Sequence, residues 1–128
     1  MQTNQYDLVI IQQVKDLLEK DYKYQHTQTE LARRFHINES KLRKGFTSVY
    51  QTPIYEYQVQ LRIEKAKELL STTDDAVKTV AYKVGFDIRN LNRQFKKRLG
   101  VSPYAWKKQL YGGGTQNGLV NKPDLSIF

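Results

Sequence analysis

The sequence predicts an all-α fold, and three observations carry that prediction. Apolar residues recur at three- and four-residue spacing along most of the chain, the period of a helix packed on one face. Thr, Ser, Asn and Asp cluster ahead of those runs, where helix N-caps belong. No run of four to eight residues alternates over a β-rich composition, as a half-buried strand would.

Seven helices follow in order. The first covers residues 5–20, with Ile10, Val14 and Leu17 on one stripe. The second covers 28–35, capped by Thr27 or Thr29, with Leu31, Ala32 and Phe35 turned inward. The third covers 39–50 behind Asn38, a suitable cap. Pro53 suits the first turn of a long fourth helix that runs to about Leu70. Val59, Ile63, Ala66 and Leu70 form its stripe. Residues 71–75, STTDD, read as a loop and a cluster of capping residues. The fifth helix covers 76–84 and the sixth 88–99, ended by Gly100 in a left-handed cap. Pro103 opens a seventh helix to about Leu110. The Gly- and Asn-rich segment from Gly112 onward reads as a frayed or flexible tail, residues 111–128.

Composition removes several kinds of chemistry. The chain has 128 residues, enough for one compact domain or two very small ones. It has no cysteine, which excludes disulfides, thiolate metal sites and a cysteine nucleophile. No run of 18 apolar residues exists to span a membrane, and the N-terminus lacks the pattern of a signal peptide. A cytoplasmic location is expected. The net charge is +8. From Ile88 to Pro123 there is no Asp or Glu but there are eight Lys or Arg residues. Such segregation marks a basic face, and a basic face suits nucleic acid.

Shifting the chain by 49 residues reveals an internal repeat. LARRFHINESKLRKGF (31–46) lies over VAYKVGFDIRNLNRQF (80–95). Ala32 falls on Ala81, Ile37 on Phe86, Leu42 on Leu91 and Phe46 on Phe95. Each copy reads as a helix-turn-helix, two helices crossing steeply through a short turn. The small Ala32 or Ala81 allows close approach, and Ile37 or Phe86 plugs the core from the turn. Gly85 takes a positive φ at little cost, whereas His36 at the matching position does so less easily.

The second helix of each copy then has an inner and an outer face. Leu42, Phe46 and Tyr50 point inward in the first copy; Leu91, Phe95 and Leu99 do so in the second. The outer faces carry Ser40, Arg43, Lys44 and Thr47, and Arg89, Asn92, Arg93 and Lys96, with no acid among them. Arg or Lys matches guanine O6 and N7, and Asn matches adenine N6 and N7. Candidate base readers are therefore Ser40, Arg43, Lys44, Arg89, Asn90, Asn92 and Arg93, with Ser40 and Asn90 equally explicable as helix-start residues. Thr47, Lys96, Lys97, Arg98, Lys107 and Lys108 are candidate phosphate contacts. The fourth helix, taken as residues 53–70, would span roughly 27 Å at about 1.5 Å per residue. That length suits two reading heads in major grooves roughly 34 Å apart, so one monomer would read two half-sites.

The second copy and its approach resemble the AraC/XylS family of bacterial transcription regulators. The likeness runs through RIEKAKELL (62–70), VAYKVGF (80–86), LNRQFKKRLGVSP (91–103) and Tyr104-Ala105-Trp106. It implies seven helices over about residues 6–110. These would form a first helix-turn-helix subdomain (6–52), a linking helix (53–70) and a second subdomain (71–110). It implies sequence-specific binding to double-stranded promoter DNA and recruitment of RNA polymerase. It also places the recognition helices on 39–50 and 88–99. Many members have one more residue between the Gly-Phe turn and the inward apolar position, so Arg89 and Asn90 could exchange roles. Members usually carry a further effector-binding, signal-receiving or dimerising domain. The resemblance therefore implies a part of a longer regulator, with a small stand-alone activator as the alternative.

Other classes fare worse. His26 and His36 lack partners at metal-ligand spacing, and Gly112–Gly114 lacks the strand and the Lys-Ser/Thr of a phosphate loop. Asp74 and Asp75 are explained as a loop cap. Neither an enzyme nor a cofactor is expected. A basic protein that binds nucleic acid without sequence preference is the stronger rival, and an adaptor using an apolar face of the first helix is another.

Overall fold

The computed structural model describes residues 4–111, and among them it contains seven helices and no strand. The chain divides into two compact units, Met1–Leu61 and Arg62–Phe128. The sequence-predicted tail lies outside the described residues except for Tyr111, which belongs to the last helix instead.

In the first unit, α1 is Gln5–Lys20, and Asn4 caps it by accepting from the Asp7 N–H at 2.8 Å. Ile10, Ile11, Val14 and Leu18 are buried along it. The expected stripe ended on Leu17, which is only half-buried; Leu18 takes the interior place. Residues 10, 14, 17 and 11, 14, 18 both fit a helical period, and packing against the rest of the unit selects the second.

Helix α2 is Gln28–Arg34, and Thr27 is its cap through a full capping box with Glu30. Thr29 is left to donate its hydroxyl to Glu39 at 3.1 Å. Phe35 sits at the C-cap, one residue beyond the helix that was expected to include it. Helix α3, Glu39–Tyr50, starts at the expected Asn38 cap. The unit's core joins Ile10, Ile11, Val14, Leu18, Leu31, Ala32, Leu42, Phe46 and Ile54, with Phe35, Ile37 and Tyr50 packed against it.

Helix α4, Ile54–Thr72, is continuous through the boundary between the units. Pro53 lies just ahead of it and its carbonyl accepts the first helical bond, from Tyr57, at 2.9 Å. Tyr57 donates its hydroxyl to Glu19, and burial together with that bond holds the phenol well above its ordinary value. The expected stripe of Val59, Ile63, Ala66 and Leu70 is buried. The helix outruns its expected end by two residues, and there the Ser71 and Thr72 hydroxyls bond back to the Glu68 carbonyl, at 2.9 and 2.7 Å. These residues extend the helix instead of breaking it.

In the second unit, α5 is Val77–Lys83, shorter by a residue at each end than expected, with Ala76 and Val84 as its flanking caps. Ala76 makes no side-chain cap bond. The capping role expected of Asp74 and Asp75 is therefore not taken up at this helix. Asp75 instead accepts from Lys83 Nζ at 2.7 Å, and that bond lowers its carboxyl pKa. Helix α6 is Ile88–Leu99, capped by Asp87 and closed by Gly100 at φ 81°. Helix α7 is Pro103–Tyr111, one residue longer than expected. Phe95 on α6 is fully buried and meets Trp106 on α7 edge-on, with ring centroids 6.0 Å apart.

The repeat holds at the level of single hydrogen bonds. Ile37 N–H donates to the Ala32 carbonyl at 3.0 Å, and Phe86 N–H donates to Ala81 at 2.9 Å. His36 has φ 54° and Gly85 has φ 88°, so the histidine accepts the left-handed conformation that its sequence position demanded.

Replacing Phe95 with alanine should cost about 3–5 kcal/mol of folding stability, as deletion of a buried ring does. Urea unfolding followed by circular dichroism measures this; an unchanged midpoint would contradict the packing of α6.

Candidate nucleic-acid interface

The outer face of α3 is built by the inner one. Leu42 and Phe46 are fully buried, which fixes the rotation of the helix and turns Arg43 and Lys44 to solvent. Ser40 and Thr47 are half-buried beside them. Arg43, Lys44 and Thr47 line one shallow depression with Gln28, Ser48 and Pro53. Three predicted contact residues of the first unit therefore converge. The neighbouring cation, Lys41, pairs with the buried Asp7 of α1 at 3.4 Å. Glu39, the acid of the first turn, is held by Thr29.

On α6, buried Leu91, Gln94 and Phe95 set the rotation. Arg89, Arg93, Lys96 and Lys97 are exposed, while Asn90, Asn92 and Arg98 are half-buried. Arg93 donates Nη2–H to Asn90 Oδ1 at 2.7 Å, and Arg98 donates Nε–H to Gln94 Oε1 at 3.0 Å. The last turn carries Lys96, Lys97 and Arg98, where cations also favour the negative end of the helix dipole.

The two lysines of α7 are placed differently. Lys108 is exposed, its ammonium 5.8 Å from the Tyr104 ring centroid. Lys107 is half-buried and donates to the Thr73 and Asp75 carbonyls at 2.9 and 3.2 Å. Its charge thus also ties α7 to the segment between α4 and α5.

Two positioning residues escaped the sequence reading. Gln58 on α4 is 1% exposed; it accepts from the His26 N–H at 2.8 Å and donates to the His26 carbonyl at 3.0 Å. That pair of bonds fixes the chain entering α2. Arg62, one turn further along α4, is 4% exposed. It donates to the Gly85 carbonyl at 3.3 Å and lies 5.2 Å from the Phe86 ring centroid. It therefore grips the turn that aims α6. Both sit next to the apolar stripe of α4, the one pattern in the sequence that hints at burial. His26 itself is buried, with Nε2 3.3 Å from Asp21. Among the described residues no cluster of His, Cys, Asp or Glu is arranged to hold a metal, and no helix is long and apolar enough to cross a membrane.

Two helix-turn-helix units, each presenting a basic outer face, define the class of the protein. Residues 31–109 match the helix-turn-helix domain family. The chain belongs to that family, in its AraC-type form. Among similar proteins is YfiF of Bacillus subtilis, a transcriptional regulator of helix-turn-helix type. It is 30% identical over 115 residues, covering 89% of this chain and 35% of that protein. The chain thus spans about a third of that relative's length. The DNA-binding domain of AdpA, solved with a target DNA, superposes with a TM-score of 0.73 at 25% identity, covering 78% of this chain and 91% of that one. The C-terminal domain of the response regulator yesN of Fusobacterium nucleatum gives 0.68 at 29% identity, covering 78% and 96%.

Arg62→Met keeps an apolar stem but removes the donor to Gly85. It should cost about 0.5–1.5 kcal/mol, the net worth of one hydrogen bond, because Gly85 itself is exposed. Amide hydrogen exchange should quicken at Gly85, Phe86 and Asp87; unaltered exchange there would remove Arg62 from its positioning role.

Proposed function

We propose that the chain is the sequence-specific, double-stranded-DNA-binding part of a bacterial transcription regulator. The duplicated outer face carries this reading. Ser40, Arg43, Lys44 and Thr47 recur 49 residues later as Arg89, Asn92, Arg93 and Lys96, on helices whose opposite sides are buried. Each of α3 and α6 offers one reading face to a major groove, and the two units take two half-sites of one duplex. Arg43, Lys44, Arg89, Asn92 and Arg93 contact base edges, with Ser40 at the start of α3 beside them. Thr47, Lys96, Lys97, Arg98 and Lys108 contact phosphate, with Lys107 limited to what its two carbonyl bonds leave free. RNA polymerase and a signal-receiving domain belong to the same proposal, at the level of the whole regulator.

Selection of bound duplexes from a random library tests it. A selected duplex should outcompete random duplex by at least about a thousandfold at moderate salt. A flat ratio would favour a basic protein that holds only the DNA backbone. Against the selected duplex, Arg93→Ala should lose about tenfold or more while binding to random duplex falls much less. Equal losses would make Arg93 a phosphate contact. Sedimentation at binding concentrations should give a monomer on one duplex; an obligatory dimer would contradict the pairing of two units with two half-sites.

A further inference from the structure

We infer that Asn90 acts on DNA recognition through Arg93, as a positioning residue, and does not read a base itself. This rests on the reading of α6 as a recognition helix. Asn90 is half-buried in the first turn of α6, and its backbone N–H is held by the Asp87 cap at 2.7 Å. Its side-chain oxygen accepts from Arg93 Nη2, also at 2.7 Å, one helical turn along. Recognition of adenine by an asparagine needs both amide groups at once, an acceptor for N6–H and a donor for N7. The Arg93 bond takes one of the two acceptor positions of the Asn90 oxygen and turns the amide toward the guanidinium, away from the two-point approach that an adenine edge requires. An arginine fork, by contrast, has five N–H donors, and reading guanine O6 and N7 uses two of them. One spent on Asn90 leaves the base contact intact and removes rotamer freedom that would otherwise be lost on binding.

The matching position of the first unit is also occupied from within the protein, although by a different kind of contact. Position 90 falls on Lys41 in the first unit, and Lys41 is likewise engaged within the protein, by the buried Asp7 at 3.4 Å. In both units the third residue of the second helix has a partner in its own chain, while the residue three places on, Lys44 or Arg93, is exposed.

The test uses the full chain and the duplex selected above. Base preference is measured at every position for the parent, Arg93→Ala, Asn90→Ala, Asn90→Asp and the double alanine variant. Asn90→Ala should weaken preference about two- to tenfold, the worth of one hydrogen bond, at the base pair that Arg93→Ala affects. In the double variant the loss there should not exceed that of Arg93→Ala alone. Asn90→Asp keeps an acceptor for Arg93 but has no amide donor. It should retain the preference while its charge lowers affinity for all duplexes alike. Loss of preference at a different base pair, additive losses, or an unchanged profile in Asn90→Ala would each overturn the inference. Relaxation of the Arg93 Nε–H in the DNA-free protein separates this failure from failure of the DNA reading. The group should become more mobile in Asn90→Ala, and unchanged mobility would also overturn the brace.

Discussion

The backbone turn between the two helices of each unit is the constraint on which the rest depends. A recognition helix is useful only at a fixed angle to the body that carries it. Here the angle is set by a left-handed residue, His36 or Gly85, followed by an N–H that reaches back to Ala32 or Ala81. For a residue with a Cβ the left-handed region costs roughly 1–2 kcal/mol. Glycine avoids that cost in the second unit. In the first, the bond from Ile37 to Ala32 and the packing of Ile37 against the core offset it.

The turns also need outside support, and α4 supplies it with polar side chains. Burying an amide or a guanidinium is unfavourable unless its hydrogen bonds are replaced. Gln58 satisfies the requirement by bonding both backbone groups of His26, and Arg62 by bonding Gly85 and covering Phe86. In each unit, then, a buried polar residue of α4 holds backbone that precedes or forms the helix-turn-helix. A purely apolar α4 would pack its units yet leave those segments less defined.

The concentration of charge on α6 is compatible with folding for two reasons. Arg89, Arg93, Lys96 and Lys97 are exposed while Leu91 and Phe95 are buried, and three cations occupy the last turn, where the helix dipole favours them. Asp87 caps the other end through the Asn90 N–H. The features that favour phosphate therefore cost the isolated helix little. The positive charge of the first unit is moderated by Glu39 and by the pairing of Lys41 with Asp7, so the two outer faces, although duplicated, are not equivalent.

Much of this was legible in the sequence because it follows from local rules. The 49-residue repeat, the caps Asn38 and Gly100, the buried stripe of α4 and the exposed Arg43, Lys44, Arg89 and Arg93 all follow from helical period and side-chain chemistry. So did the family, from motifs such as VAYKVGF and LNRQFKKRLGVSP. Tertiary packing decided what local rules leave degenerate. It chose Leu18 over Leu17 as the buried residue, since both satisfy the same period. It let α4 run through Ser71 and Thr72, whose hydroxyls can either break a helix or bond within it. It made Gln58 and Arg62 structural, gave Lys107 two carbonyl partners and joined Asn90 to Arg93. A polar side chain has several possible partners, and only the arrangement of neighbouring backbone and charge in three dimensions selects among them.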